Sequence, residues 1–248
     1  EFNKGNKSEL NIAPLRIAEN LREHLWSKKT VILTSATMPR NLKARLGIPK
    51  IFHQLKAIES PFDYKNETLL YCPDISTPNN NEEKWKNDVS REIEKLISLA
   101  GGRTLCLFSS YQELKRITYE MRRRLGVKIL MQGDKPAKEL LQEFATEEQS
   151  CLFGTRTFFQ GIDVPGPSLS MVVINRIPFP GPNEHLIKAW SEQSDVTTGN
   201  FGWRNVELPI GVLRVTQAAG RLIRNSEDSG VIAVLDPRLT RADYARNF

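Results

Sequence analysis

Short apolar runs alternate with amphipathic stretches through most of this 248-residue chain, and this alternation is the feature that most restricts its fold. Apolar runs of four or five residues are typical of strands buried on both faces. Apolar residues spaced three and four apart are typical of helices. Strands that alternate with helices form parallel sheets covered by helices. The sequence therefore predicts an α/β fold with a mostly parallel sheet and helices on both of its faces.

The pattern also predicts where the elements lie. The expected strands are 31–34, 68–71, 104–108, 128–131, 151–153, 171–175 and 231–235. The expected helices are 15–26, 41–46, 83–99, 111–125, 136–144 and 210–223. We expect residues 1–11 to be a polar tail or boundary segment and 12–248 to be one domain. Residues 178–208, rich in Pro, Gly and aromatic side chains, predict an irregular inserted loop or arm.

Composition restricts the class of partner. A net charge of +6 suits a polyanion, although many basic enzymes bind none. No apolar run approaches the ~20 residues of a membrane span, so no membrane partner is expected. Cys72, Cys106 and Cys151 are far apart, and the last two lie in apolar runs, which favours reduced core thiols and a cytoplasmic setting. The three histidines lack metal-ligand spacing, so no metal site is expected.

Residues 217–224 place two arginines and a glutamine on one face of a helix. At about 100° per residue, Gln217, Gly220, Arg221 and Arg224 fall within an arc of about 100°, and the apolar residues between them fall on the opposite side. Two guanidinium groups beside a glycine suit a phosphate that arrives from outside the domain. The alternative is a surface helix whose arginines are solvated.

Polar residues follow several expected strands, and in open parallel sheets ligands bind beyond the carboxyl ends of strands. Residues 109–111, Ser-Ser-Tyr, open a helix whose N–H groups and hydroxyls can bind an anion. Ser110 and Glu113 also form a capping box, and capping and anion binding can coexist. Residues 154–166 form a Gly-rich loop with two phenylalanines, which suit either hinge packing or base stacking. Residues 34–37, Thr-Ser-Ala-Thr, suit a cap or a relay between two sites.

Four of these segments, in chain order, resemble motifs III, IV, V and VI of superfamily 2 helicases. They are 35–37, 107–111, 154–166 and 217–224. The residues within these motifs resemble the bacterial DinG type of the XPD/DinG branch. Three further segments, 60–64, 176–180 and 235–239, support the resemblance, which extends from about Ile12 onward. Gln160 departs from the acidic residue of many relatives, which leaves its role open.

The sequence contains no GxxxxGK[ST] phosphate loop and no Asp-Glu-x-His box. The resemblance therefore implies a second RecA-like motor domain, whose partner is the first RecA-like domain of the same polypeptide. ATP and Mg²⁺ would be shared with that domain, and any iron–sulfur cluster would lie outside this chain. The isolated chain is expected to be inactive in ATP hydrolysis.

The resemblance also implies a role for each motif residue. As catalytic residues, Arg221 and Arg224 would contact the γ-phosphate and Gln217 would position the nucleotide or water. Gly161, Asp163 and Gly220 would line the nucleotide cleft. Single-stranded DNA would be held by Ser109, Ser110, Tyr111, Thr155 and Arg156. Ser35 and Thr37 would couple the two sites. The family implies 5′→3′ movement on DNA in repair or replication.

The sequence leaves two other classes of function open. The chain could be a nucleic-acid-binding module without ATPase activity, which the missing phosphate loop would favour. It could instead be a Rossmann-like enzyme acting on a small molecule. Against the second stands the lack of a G-x-G-x-x-G after a strand, of a Ser/His/Asp arrangement and of a paired-carboxylate site.

Overall fold

The computed structural model describes residues 12–35, 42–52, 60, 62–78, 81–155, 169–199, 201–223 and 228–248. The chain divides into two compact units. The smaller consists of Glu1–Ile58 and Pro180–Pro209, and the larger of Glu59–Phe179 and Ile210–Phe248. Within the described ranges, no helix is long and apolar enough to cross a membrane.

The larger unit contains a six-stranded sheet in which all neighbouring strands are parallel. The strands are β1 (Thr68–Tyr71), β2 (Thr104–Leu107), β3 (Lys128–Met131), β4 (Ser150–Gly154), β5 (Met171–Ile174) and β6 (Gly230–Val234). Their order across the sheet is β1-β6-β5-β2-β4-β3. The expectation of an α/β fold with a parallel sheet is confirmed.

The helices follow the amphipathic stretches of the sequence. They are α1 (Ala18–Leu21), α2 (Leu42–Leu46), α3 (Tyr64–Glu67), α4 (Glu82–Ala100), α5 (Tyr111–Arg124), α6 (Ala137–Thr146), α7 (His185–Thr198), α8 (Leu208–Ala219) and α9 (Arg238–Arg241). Wider π-type turns form over Arg22–Trp26 and Trp203–Glu207, and a 3₁₀ turn over Ala245–Asn247. Local signals set the ends: Asn81 caps α4 through the N–H of Lys84, and Gly101 ends it with φ of 63°.

The sheet is buried on both faces because alternate residues of each strand point to opposite sides. Leu105 and Leu107 of β2 pack in one cluster with residues of α6 and α8, whereas Cys106 packs in the other with residues of α4 and α5. Cys106 and Cys151 are fully buried free thiols, as expected for core residues. Burial raises the pKa of both, that of Cys151 to about 12, which keeps them protonated at neutral pH.

Residues 31–34 do not form the expected strand. The side chain of Ile32 is 88% exposed. A strand needs a neighbouring strand to pair its backbone groups, and the described residues of the smaller unit contain no other strand. Residues 31–34 thus have the composition of a strand, but the described residues of this unit offer them no strand to pair with.

The expected helix 210–223 is displaced. It begins at Leu208 and ends at Ala219, so Arg221 lies after the helix and not on its face. Gly220 is a poor helix former. Beyond it the turn tightens, because the N–H of Arg221 donates to Ala218 O at 3.2 Å and that of Leu222 to Ala219 O at 3.0 Å.

The segment expected to be an irregular arm contains regular structure. Residues His185–Thr198 form α7, which ends at Gly199 with φ of 75°. In the smaller unit, the indole of Trp190 donates to Leu15 O at 2.9 Å, and the Arg45 guanidinium lies 4.8 Å from its ring centre. Helix α7 is therefore held to the N-terminal part of the chain within this unit.

Candidate functional site at the carboxyl edge of the sheet

Because every strand pair is parallel, the carboxyl ends of all six strands meet at one edge of the sheet. Polar residues follow most of these ends. They are Ser109 and Ser110 after β2, Gln132 after β3, Thr155 after β4, Asn175 after β5 and Asp236 after β6. The edge is therefore a row of hydroxyl, amide and carboxylate groups.

The end of β2 is joined to the end of β5 by Asn175. Its Oδ1 accepts a hydrogen bond from the Ser109 N–H at 3.0 Å, and its own N–H donates to Leu107 O at 3.1 Å. Asn175 is 1% exposed, whereas Ser109 and Ser110 are exposed. The buried side chain of Asn175 thus holds the turn that contains the two exposed serines.

Ser110 begins α5 as the sequence predicts. Its Oγ accepts from the N–H of Glu113 at 3.2 Å, which is one half of a capping box. The carboxylate of Glu113 accepts from Arg116 at 2.8 Å. Capping engages one N–H of the first turn, and Ser109 is exposed just before the start of this 14-residue helix.

Gln132 joins the ends of three strands. Its Oε1 accepts from both the N–H and the hydroxyl of Thr155, at 2.7 and 2.8 Å. Its backbone O accepts from the Tyr111 hydroxyl at 3.3 Å. Gly133 is required beside it, since a Cβ there would lie 2.7 Å from that hydroxyl and the residue has φ of 101°.

Asp236 and Arg238 organise the end of β6. Asp236 is fully buried, and its Oδ2 accepts from the Ile177 N–H at 3.0 Å and from Arg238 at 2.6 Å. Burial by itself lowers the pKa of Arg238, but the hydrogen bond and charge of Asp236 raise it overall. The Arg238 guanidinium lies 5.6 Å from the ring centre of Phe179.

Phe179 in turn packs against α8. A Cβ on Gly211 would lie 2.6 Å from its ring, so the ring and the helix backbone are in close contact. Arg214 of the same helix is buried and donates to Pro178 O at 3.0 Å. The Asp236–Arg238 pair therefore supports the surface on which α8 lies.

The end of α8 separates polar from buried residues as expected, although the helix stops earlier. Ala218, Leu222 and Ile223 are 0%, 2% and 3% exposed. Gln217 and Arg221 are half-buried and Gly220 is exposed. The guanidinium of Arg221 is thus carried by a tight turn whose neighbours are anchored in the core.

The structure brings together one group of predicted site residues. Ser109, Ser110, Tyr111 and Thr155 lie at adjoining strand ends and are linked through Gln132 and Asn175, which the sequence did not single out. Ser35 is exposed and belongs to the smaller unit. Other predicted positions lie outside the described residues: Thr37, Arg156, Gln160, Gly161, Asp163 and Arg224.

The described ranges contain no group of three or more His, Cys, Asp or Glu side chains that could hold a metal ion. At the carboxyl edge of the sheet, hydroxyls, N–H groups and the exposed Tyr111 can form hydrogen bonds to an anion or a base.

Comparison with known proteins places these features in a family. Residues 93–248 match the family described as helicase C-terminal domain. The chain is 36% identical to the ATP-dependent helicase DinG of Mycobacterium tuberculosis over 96% of its own length. It is 32% identical to the ATP-dependent DNA helicase YoaA of Haemophilus influenzae over 98%. It spans only 37% and 38% of those two relatives.

The fold has solved counterparts. A structure named XPD_Helicase superposes with a TM-score of 0.70 at 19% identity, covering 94% of this chain and 43% of that one. This likeness confirms the RecA-like architecture of the parallel sheet. With the family match over most of the larger unit and the two sequence relatives, the chain belongs to the helicase C-terminal domains, of the DinG type.

Proposed function

We propose that this chain is the second motor domain of an ATP-dependent DNA helicase, and that it supplies arginines for ATP hydrolysis and part of a track for single-stranded DNA. The observation that carries the proposal is the end of α8, where Ala218, Leu222 and Ile223 are buried while Gln217, Gly220 and Arg221 are not. The named activities of the relatives support it, since both are ATP-dependent helicases.

Arg221 is proposed to bind the γ-phosphate and to stabilise the charge that develops on it during transfer. A guanidinium pairs with two phosphate oxygens at once, and such arginines contribute ~10³–10⁵ in rate. Gly220 lacks a side chain and leaves room for the approach, and Gln217, about one turn earlier, would position the nucleotide or the attacking water. Arg224, Gly161 and Asp163 are proposed for the same cleft on the motif resemblance alone.

ATP and Mg²⁺ are proposed to be bound jointly with the first RecA-like domain of the same polypeptide. That domain would contribute the phosphate-binding lysine and the magnesium-binding acid, which is why this chain needs only the positive charges. Ser35 and Thr37 are proposed to link nucleotide state to DNA contact. A bacterial helicase acting on chromosomal DNA works in the cytoplasm, which is the location we propose.

The DNA track is proposed to cross the ends of β2 and β4. Ser109, Ser110 and Thr155 offer hydroxyls, and the first turn of α5 offers N–H groups, which suit backbone phosphates and carry no base preference. Tyr111 is 44% exposed, and the Lys115 ammonium lies 4.8 Å from the centre of its ring. The ring can therefore stack on a base beside a positive charge.

The two proposed surfaces can be separated by two single substitutions. Arg156→Ala should weaken binding of oligothymidylate and lower the slope of log affinity against log salt by up to roughly one unit. Arg221→Ala should leave DNA affinity nearly unchanged. Fluorescence anisotropy of a labelled oligonucleotide at several salt concentrations measures both. Equal losses in the two variants would show that the nucleotide face and the DNA face are not distinct.

A nucleic-acid-binding module without ATPase activity is the second candidate, because the sequence contains no GxxxxGK[ST] loop. The two candidates differ when the chain is joined to a first motor domain. The helicase proposal requires that Arg221→Ala then abolishes DNA-stimulated ATP turnover, whereas the binding module requires no effect on turnover.

A further inference from the structure

The side chain of Asn175 is buried, and among the described residues only one of its two polar atoms has a hydrogen-bond partner. Its Oδ1 accepts from the Ser109 N–H, which fixes the orientation of the amide because only the oxygen can accept. Its Nδ2 is buried and has no hydrogen-bond partner in the part of the chain that the structure describes. A buried polar group without a partner destabilises the folded state.

An aspartate at this position would remove that defect. It has nearly the same shape, it can accept the Ser109 N–H with a charged oxygen, and it carries no donor to leave unpaired. Position 175 also bonds to the residue that precedes the N-cap of α5, and the N-terminus of a 14-residue helix stabilises a nearby negative charge. A carboxylate here would gain from the nearby helix N-terminus, but it would also bury a charge that receives a single N–H donor.

We infer that Asn175 is a positioning residue that holds the Ser109–Ser110 turn while keeping the N-terminus of α5 free of negative charge for an incoming phosphate. A carboxylate at this position would itself occupy the favourable potential of the helix and would repel a phosphate at the exposed serines. The inference rests on the proposed DNA track. It adds the residue that keeps the N-terminus of α5 neutral, so that a backbone phosphate can bind there.

The test compares two substitutions that make the same change in charge. Asn175→Asp should bind oligothymidylate about tenfold or more weakly than the wild type, measured where circular dichroism shows both proteins folded, because a buried charge lies near the phosphate. Asn87→Asp, on the exposed face of α4, should bind like the wild type. Where the wild type binds oligothymidylate, equal affinity of the two variants would overturn the inference.

A third variant separates holding the turn from keeping it neutral. Asn175→Ala removes the acceptor of the Ser109 N–H, so it should lower the unfolding temperature and also weaken DNA binding. Because the substitution is neutral, the slope of log affinity against log salt should stay closer to the wild type than in Asn175→Asp. If Asn175→Ala bound DNA as the wild type does, the turn would not need to be held.

Inorganic phosphate distinguishes this inference from the proposed function. In the wild type, phosphate should shift the backbone amide resonances of Tyr111 and Gln112, whose N–H groups lie in the first turn of α5. One outcome is that phosphate shifts these resonances and Asn175→Asp abolishes the shift, but oligothymidylate does not bind. In that case the inference stands and the proposed DNA track is wrong. If neither probe reaches this turn in the wild type, the inference falls as well.

Discussion

Ser110 caps α5 and also offers an exposed hydroxyl to the proposed DNA track. Ser110→Ala removes the acceptor of the Glu113 N–H, so the free energy of unfolding should fall by about 1 kcal/mol. Urea denaturation followed by circular dichroism measures the change. This loss of stability is expected whether or not Ser110 contacts DNA.

Ser98→Ala is the matched control for that substitution. The Ser98 hydroxyl is exposed on α4 and donates to the Glu94 carbonyl of its own helix at 2.8 Å, a bond that adds little to helix stability. Its removal should change the free energy of unfolding by less than about 0.5 kcal/mol. Equal losses for both serines would mean that Ser110 does not act as a cap.

Residues of the candidate site could be nominated from the sequence where the local pattern sufficed. Ser109, Ser110 and Thr155 follow apolar runs directly, and the position after a strand is enough to nominate them. Gln132 and Asn175 also follow strands, but a single amide there looks like any loop residue. Their role in linking strand ends depends on β2 lying between β5 and β4. Local sequence does not reveal this order of strands.

At the scale of elements, the backbone of α8 is in close contact with the ring of Phe179, which lies in the segment after β5. Gly211→Ala would place a Cβ 2.6 Å from the ring of Phe179, which is itself packed against Arg238 and Tyr244. The ring cannot move freely, so the free energy of unfolding should fall by about 1–3 kcal/mol despite the better helix propensity of alanine.

Gly126→Ala provides the comparison for that substitution. A Cβ at Gly126 meets nothing within 4 Å, and its φ is not positive. Its free energy of unfolding should be unchanged or higher by up to about 1 kcal/mol. Thermal and urea unfolding of both variants test the contact, and a Gly211→Ala chain as stable as Gly126→Ala would contradict the tight packing of α8.

Elements were predictable where the apolar period was strong, and β1 and β3 lie where the sequence places them. Two of the wrong expectations, the helix 210–223 and the strand 31–34, have different physical causes. The helix of residues 210–223 ends early because Gly220 outweighs the apolar period that continues through Leu222 and Ile223. Residues 31–34 have the composition of a strand, but a strand also needs a partner, and composition does not report on partners.

At the scale of the whole molecule, the parallel sheet was predictable but the strand order was not. Apolar runs of similar length and composition can pair in many orders, and the observed order is selected by packing of residues distant in sequence. Trp85 of α4 shows this, because its indole donates to Leu235 O, 150 positions away, at 3.1 Å. The order decides which polar residues become neighbours, so the site could be predicted only in part.

The chain spans 37% of the length of a DinG relative, and its own sequence contains no phosphate loop. We expect the 248-residue chain to hydrolyse ATP negligibly, with or without single-stranded DNA, because arginines stabilise a transferring phosphoryl group only when other residues hold the phosphates and Mg²⁺. Phosphate release measured over a range of Mg²⁺ concentrations tests this. Joining the chain to a first motor domain should restore DNA-stimulated turnover, and Arg221→Ala in that joined protein should lower it by ~10³-fold or more. Robust Mg²⁺-dependent ATP turnover by the chain alone would falsify the assignment as a second motor domain, since a complete ATPase site would then lie within these residues.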